Sequence, residues 1–212
     1  MSTRVALRLA AGDLYENSWK LVLVNAALGA VLVFAVVAAI AVHALLVLAV
    51  LAGPLVAALA HCSVTLVRTG NLALADAWEG LRLHWRRGLT LGAAGVALGV
   101  LAALAFHFYT RSSVGWPFAF ATLYLVVLLG IYAAVLTIVA VAEPDQPLRR
   151  VARQAAVVGA QRPGATLLLG LALLLVNLVG LAAAVMPFLT ITVAYSFVAV
   201  AHFVLPAEAR EV

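Results

Sequence analysis

The chain has 212 residues, 67% of them hydrophobic and 10% charged, and its mean hydropathy is +1.17. A water-soluble fold needs more polar surface than this composition supplies, so the class is an integral membrane protein. The net charge of +5 sits beside long apolar runs, where basic residues meet anionic lipid headgroups, and it is not read as a nucleic-acid signal.

A helix crosses about 30 Å of hydrocarbon with about 20 apolar residues. A mixed-charge stretch over roughly Arg4 to Trp19 comes first, followed by a first span at 21–42 that ends near His43 with almost no loop. That run is too long for the apolar region of a cleavable signal peptide. The second span, 45–67, is interrupted at Gly53-Pro54. Proline removes a backbone donor there, and a kink is expected.

Next, Leu74, Trp78, Leu81, Trp85 and Leu89 recur at steps of four, three, four and four, while Asp76, Glu79, Arg82 and Arg86 fall mostly off that stripe. This pattern predicts a helix lying in the headgroup plane. The third span, 89–109, carries Gly92, Gly95 and Gly99 at helical spacing, which permits close helix packing. A short loop with Trp116 as an interfacial anchor leads to the fourth span, 118–142, which the stretch Glu143-Pro144-Asp145-Gln146-Pro147 ends. Beyond it, Leu148, Val151, Ala155 and Val158 share one helical face, with Arg149, Arg150 and Arg153 elsewhere. The fifth and sixth spans, 164–186 and 188–205, are separated by a turn near Pro187.

Of the thirteen Lys and Arg residues, only Arg111 falls beside the loops that alternate with the basic ones. By the positive-inside rule both termini are cytoplasmic. The expected architecture is therefore all-α: a polytopic helical bundle forming one domain over 1–212, with six transmembrane helices as three hairpins, each preceded by an amphipathic interfacial helix. The starts of the odd-numbered spans, Trp19-Lys20-Leu21-Val22, Trp85-Arg86-Arg87-Gly88-Leu89 and Arg162-Pro163-Gly164, read as a weak internal repeat. Arg82, Arg86, Arg87, Arg149, Arg150 and Arg153 are the expected contacts with anionic lipid on the cytoplasmic leaflet.

Every acidic residue, and every Lys and Arg, lies outside the expected hydrocarbon segments. Intramembrane ionisable groups are the usual mark of proton relays and ion coupling, so a carboxylate-based mechanism or a lysine nucleophile within the bilayer is excluded. The candidate intramembrane polar residues are Asn25, His61, Asn177 and His202. His61 and His202 either form a shared polar site or bond separately to neighbouring helices, and the same alternatives hold for the two asparagines. His43 and His107 lack a third ligand, so no metal site is assigned. No nucleotide-binding loop, hydrolase elbow or cofactor motif is present, and the single cysteine, Cys62, admits no intrachain disulfide.

Several segments resemble the YesL-like family of bacterial integral membrane proteins, a domain of unknown function. They are Asn25 early in the first span, Ala52-Gly53-Pro54-Leu55-Val56-Ala57-Ala58-Leu59, the exit Val67-Arg68-Thr69-Gly70, Asp76-Ala77-Trp78 leading to His84-Trp85-Arg86-Arg87, and the later Leu148-Arg149-Arg150-Val151-Ala152-Arg153-Gln154-Ala155. The resemblance implies a helical inner-membrane bundle associated with carbohydrate uptake, and it supplies no catalytic or ligand residues. The expected function is a non-enzymatic accessory or scaffold component associated with carbohydrate uptake; the expected partners are the lipid bilayer and either a membrane transport complex or further copies of the chain in a homo-oligomer. The alternative is a small-solute transporter or channel with a polar path near Asn25, His61 and Asn177.

Overall fold

The computed structural model describes residues 2–183 and 191–205, without the side chains of 43–45 and 183. All of its elements are helical: α1 (Thr3–Glu16), α2 (Ser18–Ala41), a 3-10 segment (His43–Leu51), α3 (Ala52–Thr69), α4 (Leu74–Tyr109), a short 3-10 turn (Ser113–Gly115), α5 (Trp116–Ala142), α6 (Leu148–Gln161), α7 (Pro163–Ala183) and α8 (Val193–Val204). Five helices, Ser18–Ala41, Leu46–Thr69, Leu74–Tyr109, Ser113–Ala142 and Pro163–Ala182, are long and apolar enough to cross a membrane. The described part of α8 is a shorter apolar helix of 12 residues. The turn expected at Pro187, the adjoining ends of the fifth and sixth spans (184–186 and 188–190) and Arg210 lie outside the described residues.

Helical periodicity decides which side chains enter the core. In α2, Leu21, Asn25, Leu28 and Ala35 are buried at steps of four, three and seven, which places them on one face. Most of α3 is buried, with Leu59, Ala60, Cys62, Ser63 and Leu66 fully enclosed. Its more open side carries His61, Thr65 and Arg68, at helical spacing. Ile138 and Val139 of α5, Leu169 of α7 and Val198 and Val200 of α8 close the same core. Helix α3 ends at Gly70, whose φ of 72° lets its N–H return to the Leu66 carbonyl at 2.8 Å. A side chain at that position would be strained.

The structure corrects the expectation of a separate in-plane helix before the third span. Residues 74–109 form one uninterrupted helix of 36 residues, about 54 Å long at 1.5 Å per residue. The Arg86-Arg87-Gly88 junction contains nothing that stops a helix, unlike Asn17 ahead of α2 or Arg162-Pro163 ahead of α7. Its contact with protein falls on a different face from the Leu/Trp stripe. The buried positions of its first half are Gly80, His84 and Gly88 at steps of four, whereas Leu74, Trp78 and Trp85 are exposed. Small residues win this face because α3 lies against it. A Cβ on Gly80 would sit 2.7 Å from the His61 Cβ, and one on Gly53 or Gly88 would overlap the other's backbone. Gly92 packs the same way against Val50 and Gly53, while Gly95 and Gly99 face open space.

In α6, Val151 and Ala155 are buried with Leu148 and Val158 partly so, as the periodicity indicates, and Arg149, Arg150 and Arg153 are exposed. The three amphipathic stretches follow one packing rule. The first half of α4 lies on α3 and α6 lies on α5, each on the helix before it, while α1 lies on the last helix, α8.

Candidate functional site

The polar residues of interest are held at separate helix contacts. Pro54 falls in the first turn of α3, directly after the change from 3-10 to α geometry at Leu51–Ala52. A missing N–H is tolerated in a first turn. The adjoining Gly53 lies against Gly88 and Gly92 of α4, and its missing side chain lets the two backbones approach closely. A groove of about 580 Å3 opens beside it, with walls that include Gly53, Gly92, Thr137 and Phe197.

His61 is half-buried with its ring 5.3 Å from that of His84, which is 3% exposed. His202 instead meets Asp13 of α1, Nε2 to Oδ2, at 2.6 Å. The two histidines that could have shared a site thus have different partners. A second bond, from the Tyr195 hydroxyl to the Leu7 carbonyl at 3.1 Å, joins the same pair of helices. Thr3 Oγ1 donates to the Ala165 carbonyl at 3.1 Å, tying α1 to α7.

Asn177 donates through Nδ2 both to the Leu173 carbonyl and to Ser196 Oγ, each at 2.7 Å, and Ser196 passes its own proton to the Thr192 carbonyl at 2.8 Å. This is an interhelical tie between α7 and α8. It borders a groove of about 410 Å3 between α5, α7 and α8. Asn25, 1% exposed in α2, lines neither this groove nor the larger one, and the same is true of His61.

The basic residues divide into two groups. Arg87 had the sequence signature of a lipid contact, but its guanidinium donates to the Ala140 carbonyl at 2.8 Å, to that of Glu143 at 3.1 Å, and to those of Pro144 and Gln146. Ala140 lies in the last turn of α5 and Glu143, Pro144 and Gln146 follow it in the adjoining turn, so the guanidinium sits at the negative pole of that helix, where a cation is favoured. Arg68 reaches the Ala142 carbonyl at 3.5 Å. Lys20 acts alike for α3, donating to the Leu72 carbonyl and to Asn71 Oδ1 beyond its end. Arg162 stands at the corresponding place ahead of α7 and is also engaged. Arg82, Arg86, Arg149, Arg150 and Arg153 are exposed, with Arg86 5.3 Å from the ring of Trp85.

Three of the described hydroxyls are bonded within their own helices. Ser63 donates to Leu59, Thr137 to Ala133 and Ser196 to Thr192, each to the carbonyl one turn back. His107 bonds to Arg111 at 2.8 Å, and no group of three or more His, Cys, Asp or Glu residues suited to a metal ion occurs among the described residues. Sequence reasoning missed Asp13, His84, Ser196 and Lys20 as partners. Each acts across helices, over separations of 189 residues for Asp13–His202 and 52 for Lys20–Leu72, and periodicity is silent about such contacts. Comparison with protein-family models, with curated proteins and with solved structures returns no match to this chain.

Proposed function

We propose that this chain is a non-enzymatic scaffold or accessory subunit of a bacterial cytoplasmic membrane. In this reading it crosses the bilayer six times as three hairpins, with both termini on the cytoplasmic side. The observation that carries the proposal is the distribution of the polar residues: Asn177, His61 and His202 each serve a different interhelical contact, in a bundle whose centre is filled by Leu21, Leu28, Leu59, Leu66, Ile138 and Val198. A transport pathway needs polar groups converging on one cavity. A scaffold needs a rigid core and a presented surface. The exposed Arg82, Arg86, Arg149, Arg150 and Arg153 supply that surface, facing anionic headgroups. Association with carbohydrate uptake rests on the family resemblance of the segments around Asn25, Gly53-Pro54 and His84-Trp85 alone.

Purification in mild detergent tests the role: the chain is expected to bring down components of a membrane transport complex, and its deletion to lower sugar uptake. A chain that runs alone or as a homo-oligomer, with uptake unchanged on deletion, contradicts the accessory role. The solute-pathway alternative has the groove beside Gly53 in its favour. It requires flux in reconstituted liposomes that Asn177→Leu and His61→Leu abolish.

A further inference from the structure

The groove bounded by α5, α6 and α7 encloses about 360 Å3, within the range of about 300–1,000 Å3 usual for small-molecule sites. It follows α5 from Tyr124 to Val135, three helical turns or about 16 Å. Its polar groups are few and internally bonded: the Tyr132 hydroxyl donates to the Ala152 carbonyl at 2.9 Å and Thr166 Oγ1 to the Gly159 carbonyl at 3.5 Å. Ala156 and Gly159 of α6 form one wall. Arg149 and Arg153 precede Ala156 by seven and three residues, so all three share a face of α6, and both arginines are exposed. Helix α6 contains no acidic residue, and among the described residues no carboxylate pairs with Arg149, Arg150 or Arg153.

We propose that this groove holds one acyl chain of an anionic phospholipid, with the phosphate at Arg149 and Arg153 and the chain running along α5 toward Tyr124. Charge and shape each exclude a different alternative. A free anion would satisfy the two guanidinium groups and leave the apolar slot wetted. A lipid with no net charge would fill the slot and leave two cations uncompensated beside it. Basic pockets joined to apolar grooves at a membrane face meet both requirements with an anionic lipid. The site rests on α6 lying at the membrane surface, as proposed above, and not on any role in a complex.

The test uses the full chain in detergent micelles, with its melting temperature read on addition of phosphatidylglycerol, phosphatidylcholine of the same chains, or glycerol phosphate. Phosphatidylglycerol is expected to raise it by several degrees, phosphatidylcholine by less than half as much, and glycerol phosphate not at all. Arg149→Gln with Arg153→Gln should erase the difference between the two lipids. Gly159→Leu should abolish the response to both; a Cβ there meets nothing within 4 Å, and the variant's melting temperature without lipid, expected to match that of the unsubstituted protein, checks that it folds. Equal responses to the two lipids in the unsubstituted protein, a full effect from glycerol phosphate, or an intact phosphatidylglycerol response in Gly159→Leu each overturn the site. Extraction of the chain from native membranes by alkaline carbonate would overturn the membrane reading as well; resistance to carbonate together with any of the preceding results overturns the lipid site alone.

Discussion

Helix α4 contains two regions of opposite character. In its first half, Gly80, His84 and Gly88 are buried against α3 so closely that the glycines admit no side chain. In its second half, Leu98, Leu101, Leu104 and Phe108 are exposed, and Gly95 and Gly99 face open space. The polar first half is thus held by protein, while the apolar second half meets its surroundings directly. In a membrane protein the driving force for helix association is close packing and hydrogen bonding rather than hydrophobicity, because lipid is as apolar as leucine. Small and polar residues therefore mark the contacts, and large apolar ones mark the periphery.

The largest effect should come from disturbing the closest contact. Gly88→Leu is expected to destabilise the chain by roughly 3 kcal/mol, the upper part of the range for overpacking, whereas Gly99→Leu should change stability by less than about 0.5 kcal/mol. Unfolding in mild detergent measures both, and equal effects would erase the distinction between the halves. Next comes Arg87→Gln, which leaves the carbonyls at the end of α5 without their cation. A loss of about 2 kcal/mol is expected, by the scale for charged hydrogen bonds. Arg86→Gln, one residue away and exposed, should cost less than about 0.5 kcal/mol. Asp13→Ala removes one of the two side-chain ties described between α1 and α8 and should cost about 1.5 kcal/mol; its measurable signature is earlier proteolysis within α1. The smallest effect is expected of Asn177→Leu, about 0.6 kcal/mol, typical of interhelical hydrogen bonds in membranes. A loss several times larger would mean that the Asn177–Ser196 bond is a principal tie rather than one of many.

These residues also show what the sequence could and could not reveal. The helical class, the end of the fourth apolar run at Ala142 and the buried face of α6 followed from composition and period, because Leu148, Val151, Ala155 and Val158 are apolar residues on an otherwise polar and charged helix. The face by which α4 packs on α3 is not marked by that period. Trp78 and Trp85 dominate any hydrophobicity pattern, while Gly80, His84 and Gly88, which carry the contact, have no apolar signal. A stripe of glycine at steps of eight was the available clue. Arg87 and Arg86 are chemically identical neighbours, and only the position of the α5 carbonyls separates a cap from an exposed cation. The pairing of His202 with Asp13 joins the two ends of the chain, and no local pattern encodes it.

A spin-label scan of positions 74–109 in reconstituted bilayers tests the division of α4 most directly. The account predicts an unbroken helical period at every position that accepts a label, immobile and inaccessible labels at 77 and 84, and labels at 98, 101, 104 and 108 that are open to oxygen and shielded from aqueous relaxation agents. A loss of helical period near 86–87, or a first half in which 77 and 84 are as accessible to the aqueous agent as 79 and 86, would contradict it.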